Sequence, residues 1–239
     1  TNAKNLGKEK MPSGRAYLFL NNGNGTVFTK TWEYKGNEGE IIEGICVAKL
    51  NDDNFKDVIM LTESWEANST TKLIAFLGTK EGILAKSWDS NNIYLSARHM
   101  VAEDFDSDGD ADIITDNLER NENSVMFFQN DGSEHFKMAS KRPMELVFSM
   151  DAADIDSDGN MELVLGNWDG SIEILSNYNA SFEQAWKFRP SDSSKYPIRK
   201  IITADVNNDQ GVDIIVVKAF VNEGKETNTV YIFLNNASG

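Results

Sequence analysis

The chain has 239 residues, 40% hydrophobic and 26% charged, which is the composition of a globular protein with a sizeable core rather than of a disordered one. Its 38 acidic against 23 basic side chains give a formal net charge of -15, a surface that repels phosphate backbones and excludes nucleic acid as a partner. A single cysteine, Cys46, excludes an intrachain disulfide, and no run approaches the ~20 apolar residues of a membrane-spanning helix, which excludes direct membrane insertion.

Taken in chain order, residues 1–14 (TNAKNLGKEKMPSG) read as an N-terminal tail or linker with no apolar signal-peptide segment. From residue 15 to residue 239 the sequence repeats itself. RAYLFLNNGNG from Arg15 is a strand with an Asn/Gly turn, and Val27 to Trp32 is a second strand. CVAKLNDDNFKDVIM from Cys46 is a strand, an acidic loop at 49–57 and a further strand. TKLIAFLGTKEG from Thr71 and the stretch Ile83 to Trp88 follow it. The same order returns with VAEDFDSDGDADIIT from Val101 (loop 104–112) and SVMFFQNDG from Ser124. It returns again with DAADIDSDGNMELVL from Asp151 (loop 154–162), GSIEILSNYN from Gly170 and Phe182 to Trp186. A last round is ITADVNNDQGVDIIV from Ile202 (loop 205–213) and TVYIFLNN from Thr229.

The ninth loop positions, Asp57, Asp112, Glu162 and Asp213, are 55, 50 and 51 residues apart. Each period reads as four short β-branched or apolar strands, A to D, with the acidic loop between A and B. Four strands per ~50 residues, repeated, is one blade of a β-propeller. The expected fold is therefore all-β, with four repeats plus a partial one. Four A–B loops against five C strands make simple ring closure awkward. This points to part of a larger propeller of about seven blades, with a closed four- or five-bladed ring as the alternative.

The loop DFDSDGDAD concentrates carboxylates at alternate positions of a tight turn. Calcium takes six to eight oxygens at about 2.3–2.6 Å from carboxylates, carbonyls and water. Asp104, Asp106, Asp108, the Asp110 carbonyl and Asp112 supply such a set, and Gly109 permits the turn. Asp154, Asp156, Asp158, the Asn160 carbonyl and Glu162 form the next set. Asp205, Asn207, Asp209, the Gly211 carbonyl and Asp213 form another. Magnesium is disfavoured because it tolerates all-protein cages poorly. An EF-hand is excluded: position 12 would be Thr115, Leu165 or Val216, each in a β-type run rather than a bidentate Glu before a helix. The first loop offers only Asn51, Asp53, the Phe55 carbonyl and Asp57, because Lys49 stands where the first carboxylate would be. Its ammonium is expected near Asp53 and Asp57 in place of an ion, leaving a weak or unoccupied loop and about three calcium sites in all.

These loops, with the LFLNNGNGTVF hairpin at Leu18 to Phe28, resemble the FG-GAP/VCBS family, the calcium-loop repeats of integrin α-subunit propellers and of many bacterial secreted proteins. The resemblance runs from Arg15 to Asn236. It implies a propeller with calcium in its A–B loops, an extracellular, cell-surface or periplasmic location, and roles in adhesion or in binding a protein or carbohydrate. Lys49, Glu162 and Gln210 depart from the family pattern.

Opposite the A–B loops, the B–C and D–A connections carry Trp65, Tyr94, Arg120, Arg142, Trp168 and Tyr196, a candidate ligand face. The competing reading, that these residues cap the propeller edge or pack locally, is the favoured one. Catalysis is not expected: the two histidines, His99 and His135, are not repeated, no Ser sits in a nucleophile elbow, and the clustered acids are committed to cations. The alternative to a recognition module is an accessory or spacer propeller of a larger secreted enzyme, such as a polysaccharide-degrading one.

Overall fold

In the computed structural model, residues 13–64, 71–90, 95–118, 122–132, 135–178, 181–190, 196–222 and 225–236 are described, and these residues contain strands and no helix. The first blade is a two-stranded sheet of β1 (Arg15–Asn21) and β2 (Phe28–Lys35). The second contains β3 (Glu40–Ala48), β4 (Asp57–Ser64), β5 (Thr71–Gly78) and β6 (Leu84–Asp89). The third contains β7 (Met100–Glu103), β8 (Asp112–Leu118), β9 (Asn123–Asn130) and β10 (Phe136–Pro143). The fourth contains β11 (Val147–Ala153), β12 (Glu162–Asn167), β13 (Ile172–Tyr178) and β14 (Ser181–Phe188). The fifth contains β15 (Ile198–Ala204), β16 (Asp213–Asn222) and β17 (Lys225–Phe233). Every pairing is antiparallel between strands adjacent in sequence. The inner strands β3, β7, β11 and β15 pack against one another in that order, the arrangement of propeller blades about an axis.

Strand alternation explains how the blades stack. In each B strand the residue just after the loop's ninth position faces the preceding blade, and the next residue faces the following one. Ile59 thus shares a buried cluster with Ile113, Ile114 with Leu163, and Val164 with Ile214. Each of these pairs joins consecutive blades, so B strands are covered on both faces and read as continuous apolar runs. The outer strands β10 and β14 are mostly exposed, which matches their polar character. Aromatic rings fill the wedge where the blades fan apart: Phe233 of the fifth blade lies 5.8 Å from Trp186 and 5.3 Å from Phe188 of the fourth.

Blades approach closely where Gly166 of β12 meets Ile198 of β15. A Cβ at Gly166 would lie 2.4 Å from the Ile198 Cγ2 and 3.0 Å from the Ile201 Cδ1. Gly166→Ala is expected to destabilise the fold by about 1–3 kcal/mol through overpacking. Urea unfolding would show a lower midpoint at unchanged slope; a wild-type midpoint would mean the fourth and fifth blades are not held this closely.

Candidate metal centres

Loops 104–112, 154–162 and 205–213 share one backbone. The fourth residue of each, Ser107, Ser157 and Asn208, is left-handed with φ of 62°, 61° and 63°. The sixth, Gly109, Gly159 and Gln210, has φ of 99°, 92° and 75°. Gln210 holds by side-chain bonding a conformation that glycine takes freely in the other two loops. That bonding centres on the first carboxylate. Asp104 accepts hydrogen bonds from the backbone N–H of Asp108 and Gly109, Asp154 from Asp158 and Gly159, and Asp205 from Asn208, Asp209 and Gln210. The fifth carboxylate in turn accepts from the seventh N–H: Asp108 from Asp110, Asp158 from Asn160, and Asp209 from Gly211.

The turn brings its acids together. Ligand oxygens of Asp104, Asp106 and Asp108 lie within 4.8 Å of one another, as do those of Asp154, Asp156 and Glu162. Either triad could hold a metal ion. In loop 205–213 the Asn207 amide donates to Asp209 Oδ2 at 2.8 Å, which places the third and fifth positions side by side there too. Around the other loops, Asn160 donates to Asp158 Oδ1 at 2.9 Å and Gln129 donates to Asp106 Oδ2 at 2.5 Å.

The ninth position has a second task. Asp112 Oδ2 accepts from the Phe105 N–H (3.2 Å) and Oδ1 from the Asn130 N–H (2.8 Å). Asp213 does the same with Val206 and Asn235, and Asp57 with Leu50 and Gly78. The carboxylate ties the start of its loop to the end of its own C strand. Glu162 accepts from the Ile155 N–H, and its extra methylene carries the carboxylate to Asp154 and Asp156.

A further bond joins loops to neighbouring blades. The side-chain amide of Asn130 donates to the Leu50 carbonyl (2.8 Å), that of Asn177 to Phe105 (2.5 Å) and that of Asn235 to Ile155 (2.6 Å). In each case an Asn closing a C strand latches onto the second residue of the preceding blade's loop. Sequence reading missed this device; the recurring Asn in FLNN, FFQN and LSN was its only trace.

The first loop differs from expectation in one respect. Lys49 Nζ does not sit with Asp53 and Asp57. It reaches forward to the Gly109 carbonyl (3.1 Å) and to Asp110 Oδ1 (3.8 Å) of the next blade, and to the exposed Asp52 (3.4 Å). Asp57 is already engaged by two backbone amides, so the ammonium finds its oxygens elsewhere. With no carboxylate at the first position, no residue of this loop adopts positive φ. The bonds from Asp53 N–H to Asn51 and from Phe55 N–H to Asp53 are kept.

Of the candidate ligand face, Trp65, Tyr94 and Arg120 lie outside the described residues. Arg142 donates to the Phe182 carbonyl across the third and fourth blades, which is a clamp between them. Tyr196 is half-buried, with its carbonyl beside Gly170. Trp168 is exposed (51%), its ring 5.1 Å from Phe148, and Phe148 lies 6.5 Å from His99. His99 Nδ1 is 2.9 Å from Asp116 Oδ2. Asp116 also accepts from the backbone N–H of Arg98 and His99, so it caps this turn.

Residues 104–165 and 154–216 each match the family described as FG-GAP-like repeat. Cartilage acidic protein 1 of Xenopus tropicalis is 30% identical over 133 residues, covering 52% of this chain and 20% of that protein. The Homo sapiens protein of the same name is 30% identical over 131 residues, covering 51% and 19%. The chain thus spans about a fifth of the length of these relatives. Among solved structures, the Tc holotoxin pore of Photorhabdus luminescens aligns with a TM-score of 0.48 at 15% identity, over 80% of this chain and 9% of that one.

Burial pushes the Asp112 carboxyl up to about 7 from an ordinary 3.8, the Asp106 and Asp108 charges adding to it against the Asn130 and Phe105 donors. Burial also raises Glu162 and Asp110. Between pH 4 and 7 these carboxyls hold more protons in the folded, ion-free chain than in the unfolded one, so their contribution to stability falls as pH rises. In chelating buffer we expect a loss on the order of a few kcal/mol across that window, read from urea midpoints, and expect Asp112→Asn to flatten it. A chelated wild type whose stability rises through the same range would contradict this assignment.

Proposed function

We propose that this chain, whose blades carry FG-GAP-like repeats, is a non-catalytic, calcium-stabilised β-propeller module that works by recognition in an extracellular setting. The observation that carries the calcium reading is the shared turn of the three acidic loops, left-handed at the fourth and sixth residues, with carboxylates converging inside it in loops 104–112 and 154–162. Oxygen-only ligands in a crowded protein cage suit calcium better than magnesium or a softer metal. Asp104, Asp106 and Asp108 would hold one ion with Asp112 behind them. Asp154, Asp156, Asp158 and Glu162 would hold a second, and Asp205, Asn207, Asp209 and Asp213 a third. Calcium would supply charge neutralisation there: four carboxylates held this close repel until a cation sits among them.

Its relatives are named for cartilage, a tissue rich in extracellular matrix, which supports the extracellular setting. The recognition reading rests on the exposed Trp168, on a connection opposite the calcium loops and beside Phe148 of β11, where a protein or carbohydrate ligand would bind. The engagement of Arg142 and the half-burial of Tyr196 favour a second reading, that the module is a spacer propeller beside a catalytic domain.

Calorimetric titration of the chelated chain with calcium is expected to give three ions per chain. Asp104→Ala and Asp154→Ala should each remove one. Calcium at a hundredfold its Kd should add about 2.7 kcal/mol per independent site. An unfolding temperature that chelator does not move would sink the structural role. Binding on a glycan array or in a matrix-protein pull-down that Trp168→Ala abolishes supports recognition, and the absence of any binding supports the spacer.

A further inference from the structure

The seventh position separates loop 104–112 from the other two acidic loops. It is Asp110 here, against Asn160 and Gly211, so this loop carries five carboxylates where the others carry four and three. The extra carboxylate is not spread into solvent. Asp110 is 7% exposed, and its Oδ1 has no hydrogen-bond partner among the described residues. The cation that faces it comes from the preceding blade: Lys49 Nζ lies 3.8 Å from that oxygen. A buried carboxylate with neither water nor a donor is costly unless a charge stands opposite it.

Lys49 is fixed at this place by its backbone as well as its charge. Its carbonyl accepts from the Ala111 N–H at 2.7 Å, and its ammonium donates to the Gly109 carbonyl at 3.1 Å. The two bonds grip the chain on either side of Asp110, whose carbonyl is a candidate calcium ligand. The Asn130 side-chain amide fastens the same junction, donating to the Leu50 and Ala111 carbonyls. Asp52, 3.4 Å from the ammonium, has a fully exposed side chain and competes weakly for it. Ahead of loops 154–162 and 205–213 the residue equivalent to Lys49 is Asp104 or Asp154, so neither receives a positive charge at this point.

We propose, on the calcium reading of these loops, that Lys49 is a built-in counter-cation for the neighbouring blade: it holds residues 109–111 in their turn when no ion is bound, and it weakens calcium binding to loop 104–112. Both effects come from one charge. In the ion-free chain the ammonium offsets part of the repulsion among five carboxylates, and it repels a divalent cation that enters the same loop. Occupancy of this loop is thereby set by a side chain of the second blade.

Hydrogen exchange followed peptide by peptide, with the full chain titrated with calcium from a chelated start, tests this loop by loop. Lys49→Met keeps the length of the side chain and adds no ligand oxygen. The calcium concentration that half-protects 104–112 should fall about tenfold in it, while that for 154–162 keeps the wild-type value. Lys49→Gln, which retains a donor for the Gly109 carbonyl without the charge, should shift the midpoint the same way and serves if Lys49→Met does not fold. Asp110→Asn should raise the midpoint, and the Lys49→Met/Asp110→Asn double variant should return to within about threefold of wild type. In chelator, Lys49→Met should exchange faster at 104–112 and unfold at lower urea, and adding Asp110→Asn should recover part of that loss. A Lys49→Met or Lys49→Gln midpoint that stays put or rises overturns the proposal and leaves the calcium reading standing. Calcium that protects none of the three loops in wild type overturns both.

Discussion

Four buried carboxylates at the ninth loop position hold this molecule in register. Three of them, Asp57, Asp112 and Asp213, accept one N–H from the start of their own loop and another from the end of their own C strand. A carboxylate with no solvent and no partner is costly, so two charge-assisted bonds at each of these three positions offset part of the cost of its burial. The geometry follows from that exchange. The loop must fold back over the C strand, its second residue is driven inward, and its carbonyl is turned toward the next blade. The Asn latches of the third, fourth and fifth blades take up those carbonyls. One side chain thus sets the loop, closes the sheet and fixes where the neighbour docks.

The acidic loops were legible in the sequence because everything that makes them is local. Alternating carboxylates, a glycine at the sixth position and a β-branched run after the ninth all fall within about a dozen residues. The strand order was legible for the same reason, down to the outer strands at Val27 to Trp32 and Ile83 to Trp88. Strand β10, reading FKMASKRP, had no such mark, because an exposed outer strand needs no apolar pattern. The latches were hidden by distance: Asn130 and Leu50 are 80 residues apart, and Asn177 and Phe105 are 72 apart. Nothing in either stretch indicates that an amide and a carbonyl meet. The ligand face was hidden for a different reason. Loop aromatics look alike in sequence whether they clamp a blade or face solvent, and only packing separates half-buried Tyr196 from Trp168.

Lys49 shows how a single charge reversal spreads through a repeat. The first carboxylate of the other loops gathers two or three backbone amides and holds the fourth and sixth residues left-handed. An ammonium cannot accept those hydrogen bonds, so the loop at 49–57 relaxes to ordinary backbone. The long side chain then extends to the next loop, where Gly109 and Asp110 offer oxygens. The position that would have drawn a cation into its own loop instead delivers a positive charge to its neighbour. Asp110 is raised by burial and lowered by that same ammonium, so the two loops are electrostatically joined although only one has the carboxylates for an ion.

A propeller built this way divides its work between its two ends. At the loop end, charge is concentrated and backbone is fixed by side chains, leaving the chain little freedom to reshape itself around a partner. At the opposite end, the described connections are fixed by separate local devices such as Asp116 beneath His99 or Asp169 against Ser171. A lost ninth-position carboxylate would untie loop and strand together and unseat the neighbouring latch, whereas a changed contact at Asp116 or Asp169 would untie only its own turn.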